Sequence, residues 1–210
     1  MDLNQIIIAG EIGWSKLSVP NGMPFGSITV KLNLPKFEFT MKDETYNISN
    51  PMIWLNISVS KDKSNQFKKR DQYLIDMITE NKAPYLITDG AKISNWTRKG
   101  KDGAPDQLEY KVECSAGSVS LSNKMYGELN ECIFKGKVTS HEPNGKMTVE
   151  CSYLNPKNNE WKTREIPVIY TKKDTTNFTG QKILLFGKVC NVSPSGETKL
   201  YIVTDKIFPM

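Results

Sequence analysis

The sequence predicts an all-β chain with one helix, built as two related barrels in tandem. Three observations carry this expectation. Apolar residues recur with a period of two, as where Ile28, Val30, Leu32 and Leu34 alternate with Thr29, Lys31 and Asn33, the pattern of a half-buried strand. Turn clusters such as Pro20-Asn21-Gly22 and Pro194-Ser195-Gly196 separate the runs. The chain also repeats itself. Leu3-Asn4-Gln5-Ile6-Ile7-Ile8-Ala9-Gly10-Glu11-Ile12 returns as Leu129-Asn130-Glu131-Cys132-Ile133-Phe134-Lys135-Gly136-Lys137-Val138. Pro20-Asn21-Gly22 returns as Pro143-Asn144-Gly145, and the run leading to Gly90 returns as the run leading to Gly187. The separation between copies shrinks along the chain, so these are two domains, the first carrying insertions, and not a solenoid of fixed short period.

The strand runs of the first half cover 4–13, 26–34, 51–60, 84–97 and 107–116; those of the second cover 130–140, 146–154, 161–170, 181–192 and 198–207. One segment breaks the period. Arg70 to Glu80 places Tyr73, Leu74, Met77 and Ile78 on one helical face, between the third and fourth runs. The second half has only the short polar stretch Thr171 to Gly180 there. Five strands with a helix between the third and fourth describe the OB-fold, a five-stranded Greek-key barrel. We therefore expect two tandem OB-fold barrels, 1–122 and 126–210, divided near Ser122-Asn123-Lys124. Phe37 to Ile48 and Lys61 to Lys69 are insertions into the first.

The formal net charge is +5, spread over both halves without a charged tail, which permits a polyanionic partner without requiring one. Cys114, Cys132, Cys151 and Cys190 are far apart, and with the single His141 they form no zinc pattern; Cys132 and Cys151 fall in apolar runs and are expected reduced and buried. No secretory leader opens the chain and no run approaches the roughly 20 apolar residues of a membrane span, so we expect a cytoplasmic setting and no membrane partner. No phosphate-binding glycine loop, nucleophile elbow or metal-ligand pair is present. We expect a binding protein without cofactor or metal, and not an enzyme.

Asn4-Gln5-Ile6-Ile7-Ile8-Ala9-Gly10-Glu11-Ile12-Gly13, Pro20-Asn21-Gly22 before a strand, Trp54 opening the third strand and Trp96 closing the fourth before Lys99-Gly100-Lys101-Asp102-Gly103 together resemble the bacterial single-stranded-DNA-binding proteins. The resemblance covers most of 3–122; the second half matches the fold pattern alone. It implies single-stranded DNA binding by aromatic stacking in a basic groove, in replication, recombination or repair. It also implies partners among replication or recombination proteins, and leaves a homo-oligomer open. Members usually carry one such domain and a tail with an acidic tip, whereas this chain ends on its last strand run; a phage, viral or plasmid version is expected.

The candidate contacts follow from strand alternation. Ile53, Leu55, Ile57 and Val59 form the core face of their strand, so Trp54 points outward beside Asn56 and Ser58; the alternative is that the 37–48 insertion folds over it. Ala91 and Ile93 oppose Lys92, Ser94 and Trp96, so Trp96 is a second platform, or else a cap at the hairpin base. Lys92, Arg98, Lys99 and Lys101 supply phosphate partners, with Lys31 outward on its strand. Trp14, Phe37 and Phe39 are further stacking candidates, the two phenylalanines in a loop or hairpin. Tyr110 shares a face with Leu108 and Val112 and reads as core. In the second domain Trp161 is the outward aromatic, with Glu165 on the same face. Lys68-Lys69-Arg70 is a weaker basic patch, and His141 reads as a surface loop residue. The resulting expectation is a protein that coats single-stranded DNA without strong sequence preference. An OB-fold protein-interaction module and an RNA binder are the alternatives.

Overall fold

The computed structural model describes residues 4–41, 44–48, 51–100, 104–125, 127, 129–155, 158–172, 176–192 and 199–210. Lys101 and the Pro194-Ser195-Gly196 turn lie outside them. The first barrel contains β1 (Asn4–Ser18), β2 (Phe25–Asn33), β5 (Met52–Ser60), β6 (Tyr85–Arg98) and β7 (Gln107–Ser115). The hairpin β3 (Phe37–Met41) and β4 (Glu44–Ile48) lies between β2 and β5, helix α1 (Lys69–Thr79) between β5 and β6, and β8 (Val119–Ser122) follows β7. The second barrel contains β9 (Leu129–His141), β10 (Lys146–Asn155), β11 (Glu160–Tyr170), β12 (Lys182–Val192) and β13 (Lys199–Pro209). Each barrel closes in the same order. In the first, β1 pairs with β2 and β6, β2 with β5, β5 with β7 in parallel, and β7 with β6. In the second, β9, β10, β11, β13 and β12 repeat those pairings, with β11 and β13 the parallel pair. These are two tandem OB-folds.

Alternation builds both cores. β2 buries every second residue, Ile28, Val30 and Leu32 among them, and β5 answers with Ile53, Leu55, Ile57 and Val59. Gly10 and its copy Gly136 sit where the first strand crosses the second. A Cβ there would collide with the carbonyl oxygens of Asn33 and Glu150 respectively, so both copies need glycine for close backbone approach.

The helix buries Asp71, Leu74, Ile75 and Ile78. The sequence expectation placed Tyr73 on that face; it is exposed instead. The reason is Asp71. Its carboxylate accepts hydrogen bonds from the Ser60 amide at 2.7 Å and the Ser60 hydroxyl at 3.1 Å, and this tie to the end of β5 rotates the helix by about one position. In the second half, none of the described residues of 171–180 is helical. His141 also differs from expectation. It ends β9 half-buried, its ring stacked on Phe178 and edge-on to Tyr170, and its Nδ1 accepts from the Phe178 amide at 3.3 Å.

The two barrels join through their first strands. β1 and β9 pair antiparallel from Asn4↔Phe134 to Ala9↔Leu129, with Ile6↔Cys132 as the pair on the symmetry axis. Ile6 and Cys132 are copies of one another. Likewise Gln5 pairs with Ile133, and Ile7, the copy of Ile133, pairs with Glu131, the copy of Gln5. The ladder is therefore isologous and sets a pseudo-two-fold axis within one chain. Asn4 and Asn130 repeat one device. Each side-chain amide donates to and accepts from a backbone on the fourth strand, Ile93 for Asn4 (2.8 and 3.1 Å) and Val189 for Asn130 (2.9 and 2.9 Å). The register also corrects the repeat. Ala91 lies opposite Ile6 as Gly187 lies opposite Cys132, so Gly187 corresponds to Ala91 and not to Gly90.

The 37–48 insertion, expected as a loop or hairpin with folding over Trp54 as the alternative, is a hairpin that packs on the second barrel and leaves Trp54 exposed. Phe39 and Met41 are buried with Ile169, Cys190, Val192, Tyr201 and Val203 of the second barrel, and Phe37, Tyr46 and Ile48 pack at the margin. Phe39 stacks on Tyr46 with ring centroids 5.1 Å apart. The outer face of β11, β13 and β12 is thus a second, smaller core, and the hairpin is an arm from one barrel to the other.

Two expectations follow. Phe39→Ala removes the centre of the arm contact and should destabilise the chain by about 3 kcal/mol, read as a lower urea midpoint at unchanged slope. No disulfide joins the four cysteines, and all are buried. Burial raises the Cys114 thiol to about 11 and the Cys190 thiol to about 12, and pushes Cys132 up as well. Because thiolate is the reactive form, all three should stay protonated through pH 8 and react with a thiol reagent only as the protein unfolds; fast stoichiometric labelling of the native chain would contradict this.

Candidate nucleic-acid interface

On the outer face of the first barrel, cross-strand register gathers residues far apart in sequence. Trp14 on β1 pairs with Lys31 on β2, and Lys31 pairs with Trp54 on β5. A bulge at Gly13, between Ile12 and Trp14, turns Trp14 onto this face. Trp14 and Trp54 meet edge-to-face with centroids 5.5 Å apart, a geometry that contributes about 0.5–1.5 kcal/mol beyond burial. Even so, they remain 46% and 42% exposed, too open for core residues. Lys31 is half-buried between them, its stem against the sheet.

The same face continues across β7 and β6. Asn56 pairs with Glu113, Glu113 with Lys92, Lys111 with Ser94, and Glu109 with Trp96. Lys92 and Trp96 are exposed. The sequence reading passed over Lys111, which sits in this array and pairs with Glu113 at 3.1 Å; its alternation with Glu109 and Glu113 was the available signal. Glu113 is held below the usual carboxylate range by Lys111, the Ser94 hydroxyl and Lys92, against the upward push of its own burial, the largest of these influences.

Two expected phosphate contacts are already engaged. Arg98 Nη1 lies 2.9 Å from Glu109 Oε1 and Lys99 Nζ lies 2.7 Å from Asp106 Oδ2. Lys99 and the Gly100 amide lower the Asp106 carboxyl. Phe37 and Phe39 are not on this face: they belong to the arm, because the second barrel offers an apolar surface that buries them. Tyr110 is half-buried against the core, where burial raises its hydroxyl. It also lines a groove of about 880 Å³ between the barrels, with Arg98, Gln107, Pro167, Asn191 and Tyr201. Arg70 donates to the Gly117 carbonyl at 2.7 Å at the helix start. Trp161 lies near the end of the β10–β11 hairpin, 60% exposed and paired with Leu154.

The second barrel supplies an internal comparison. Its row at the Trp14–Lys31–Trp54 position is Ser140–Thr148–Pro167. Its residues at the positions of Asn56, Ser94, Trp96, Lys111 and Glu113 are Ile169, Cys190, Val192, Tyr201 and Val203, the very residues the arm covers. The sequence signal was the continuous apolar runs Val168-Ile169-Tyr170 and Leu200-Tyr201-Ile202-Val203, buried on both faces. One barrel face is thus open, polar and aromatic, and its copy is apolar and closed.

Among the described residues, no group of three or more His, Cys, Asp or Glu gathers to hold a metal ion, and no helix is long and apolar enough to cross a membrane. No family model and no curated protein matches the chain. Among solved structures, it is similar to a deletion mutant of the single-stranded DNA binding protein from Thermus aquaticus, with a TM-score of 0.61 and 13% sequence identity, over 100% of this chain and 95% of that one. The likeness is one of fold, and it spans both barrels.

Proposed function

We propose that this chain binds single-stranded DNA without strong sequence preference on the outer face of its first barrel. There it would coat exposed strands during replication, recombination or repair, in a cytoplasmic setting that includes a phage-infected host. The observation that carries the reading is the Trp14–Lys31–Trp54 row, flanked by Lys92 and Trp96. An indole face accepts any base by stacking, and a lysine between two indoles takes the phosphate that links successive bases. The likeness of fold to a single-stranded DNA binding protein supports the reading, as does the mild positive charge. Residues 1–122 form the DNA-binding domain and 126–210 a supporting one, whose corresponding face is filled by the arm.

Titration of the full chain with oligo(dT), matched hairpin duplex and oligo(U) tests the reading. The full chain is the right sample, because residues 1–122 alone would expose Phe39 and Met41. Oligo(dT) should bind far more tightly than duplex, whose base faces are already stacked; equal affinity for the two would sink the proposal. Tighter binding of oligo(U) would turn it to RNA.

Trp54→Ala should weaken oligo(dT) binding by about 1–3 kcal/mol, as should Trp96→Ala, with the urea midpoint little changed because both rings are exposed. Pro167→Ala, at the corresponding position of the closed face, should leave affinity unchanged. Trp14→Ala and Trp54→Ala should combine non-additively, since each ring positions the other.

Affinity should also fall with salt. If Lys31 and Lys92 hold phosphates while Lys111, Arg98 and Lys99 stay with their carboxylates, the slope of log K against log salt should be about −1.4. A slope steeper by about 0.7 for each cation released would show that the Lys111–Glu113, Arg98–Glu109 or Lys99–Asp106 pair opens to the strand.

A further inference from the structure

The arm of the first barrel has a counterpart in the second, and register identifies it residue by residue. Thr148 occupies the position of Lys31 and Pro167 that of Trp54, so six residues outward along the chain Leu154 corresponds to Phe37 and Trp161 to Ile48, although Phe37 and Ile48 lie in the separate β3–β4 hairpin. Each is a cross-strand pair, Phe37↔Ile48 and Leu154↔Trp161. Phe37 and Ile48 pack at the margin of the second barrel's outer face, with Lys188 Nζ 6.0 Å from the Phe37 ring. Lys188 is the copy of Lys92.

The pseudo-two-fold axis holds at this distance from the ladder. Asn191 donates to the Met52 carbonyl at 3.0 Å and Asn95 donates to the Glu165 carbonyl at 3.5 Å; donors and acceptors are copies of each other. Arg164 Nη1 adds a bond to the Ile93 carbonyl at 2.9 Å, three residues along β6 from Trp96. The Leu154–Trp161 pair lies three residues beyond Arg164 on β11, about 10 Å along the strand. The pseudo-two-fold axis, which sets the counterpart Phe37 by Lys188, assigns this pair to the Lys92 edge of the first barrel's open face.

The two hairpins differ in reach. The first continues past Phe37↔Ile48 to Met41↔Glu44, and those extra residues bring Phe39, Met41 and Tyr46 onto the opposite barrel. The second stops one pair further, at Asn155↔Glu160. Its Leu154 and Trp161 are left 45% and 60% exposed, whereas their counterparts are packed. A large apolar pair held at the edge of a face, with that face open, lacks the layer that would complete the contact.

We propose that the β10–β11 hairpin is a short arm that closes over single-stranded DNA lying on the first barrel, with Trp161 stacking a base and Leu154 flanking it. The inference rests on the first barrel's being the DNA-binding face. The strand supplies flat apolar surface where the longer arm supplies Phe39 and Met41. The second barrel then contributes to binding through its hairpin and not through its own closed face, and the site is complete only when both barrels are present.

The test uses the full-length chain, its Trp161→Ala and Trp161→Phe variants, fluorescein-labelled oligo(dT) and 5-fluorotryptophan NMR, the Phe variant assigning the Trp161 resonance. We expect Trp161→Ala to weaken oligo(dT) binding about tenfold, Trp161→Phe to recover most of it, and the Trp161 resonance to shift when oligo(dT) is added. If the parent chain binds oligo(dT) but Trp161→Ala binds equally well, the hairpin tip is solvated surface; this inference is overturned and the function proposed for the first barrel stands. If the parent chain does not bind oligo(dT), both fall together.

Discussion

The antiparallel ladder between β1 and β9 is the constraint on which the rest of the molecule depends. A closed OB barrel uses both edges of its first strand, but β1 is long enough to serve three neighbours: β6, β2 and, along Asn4 to Ala9, the first strand of the other barrel. Backbone hydrogen bonds fix the offset between two strands, and a slip of one residue would turn every side chain to the other face. Because the paired segments are copies, the only register that places Ile6 opposite Cys132 is also the symmetric one. Every later contact between barrels, from the Asn95 and Asn191 clamps to the arm, inherits its place from that register.

Within this near-symmetric frame, the two halves have diverged through the length of one hairpin and the polarity of one face. The longer hairpin carries Phe39 and Met41, and the face it meets carries Ile169, Cys190, Val192, Tyr201 and Val203. Burial of this set offsets the conformational entropy of ordering the arm. The shorter hairpin ends with Leu154 and Trp161 exposed, and the corresponding face of the first barrel carries Trp54, Asn56, Lys92, Trp96 and Lys111. Hydrophobic complementarity closes one face, and its absence leaves the other open. The asymmetry leaves one open outer face where a symmetric dimer of barrels would have two.

The electrostatics of the open face are more modest than a count of lysines and arginines suggests. Glu113 and Glu109 lie on the same face as the cations, and Arg98 and Lys99 have carboxylate partners at hydrogen-bond distance. Exposed pairs of this kind contribute little to stability, but they lower the positive field a phosphate meets. Under the proposed function, stacking on tryptophan would therefore supply much of the affinity at this face. It also suits a sequence-tolerant binder, since every base offers a π-face.

The sequence by itself determined the class, the number of barrels and the outward faces of β2, β5 and β6. Strand alternation is local: once Ile53, Leu55 and Ile57 point inward, Trp54 cannot, and the same holds for Lys31 and Trp96. Gly10 and Gly136 recur at the same place in the repeat, but their role at the strand crossing is a matter of the tertiary structure. Only the tertiary structure decided that Trp14 joins Trp54, because a bulge at Gly13 shifts the alternation and no pattern of polarity announces it. Only the tertiary structure placed Phe37 and Phe39 on the second barrel, because their alternation with Lys36 and Glu38 reads the same whether the apolar side faces a ligand or a distant domain. Apolar periodicity says that a residue has a buried side; which surface buries it is settled by the register of strands more than a hundred residues apart.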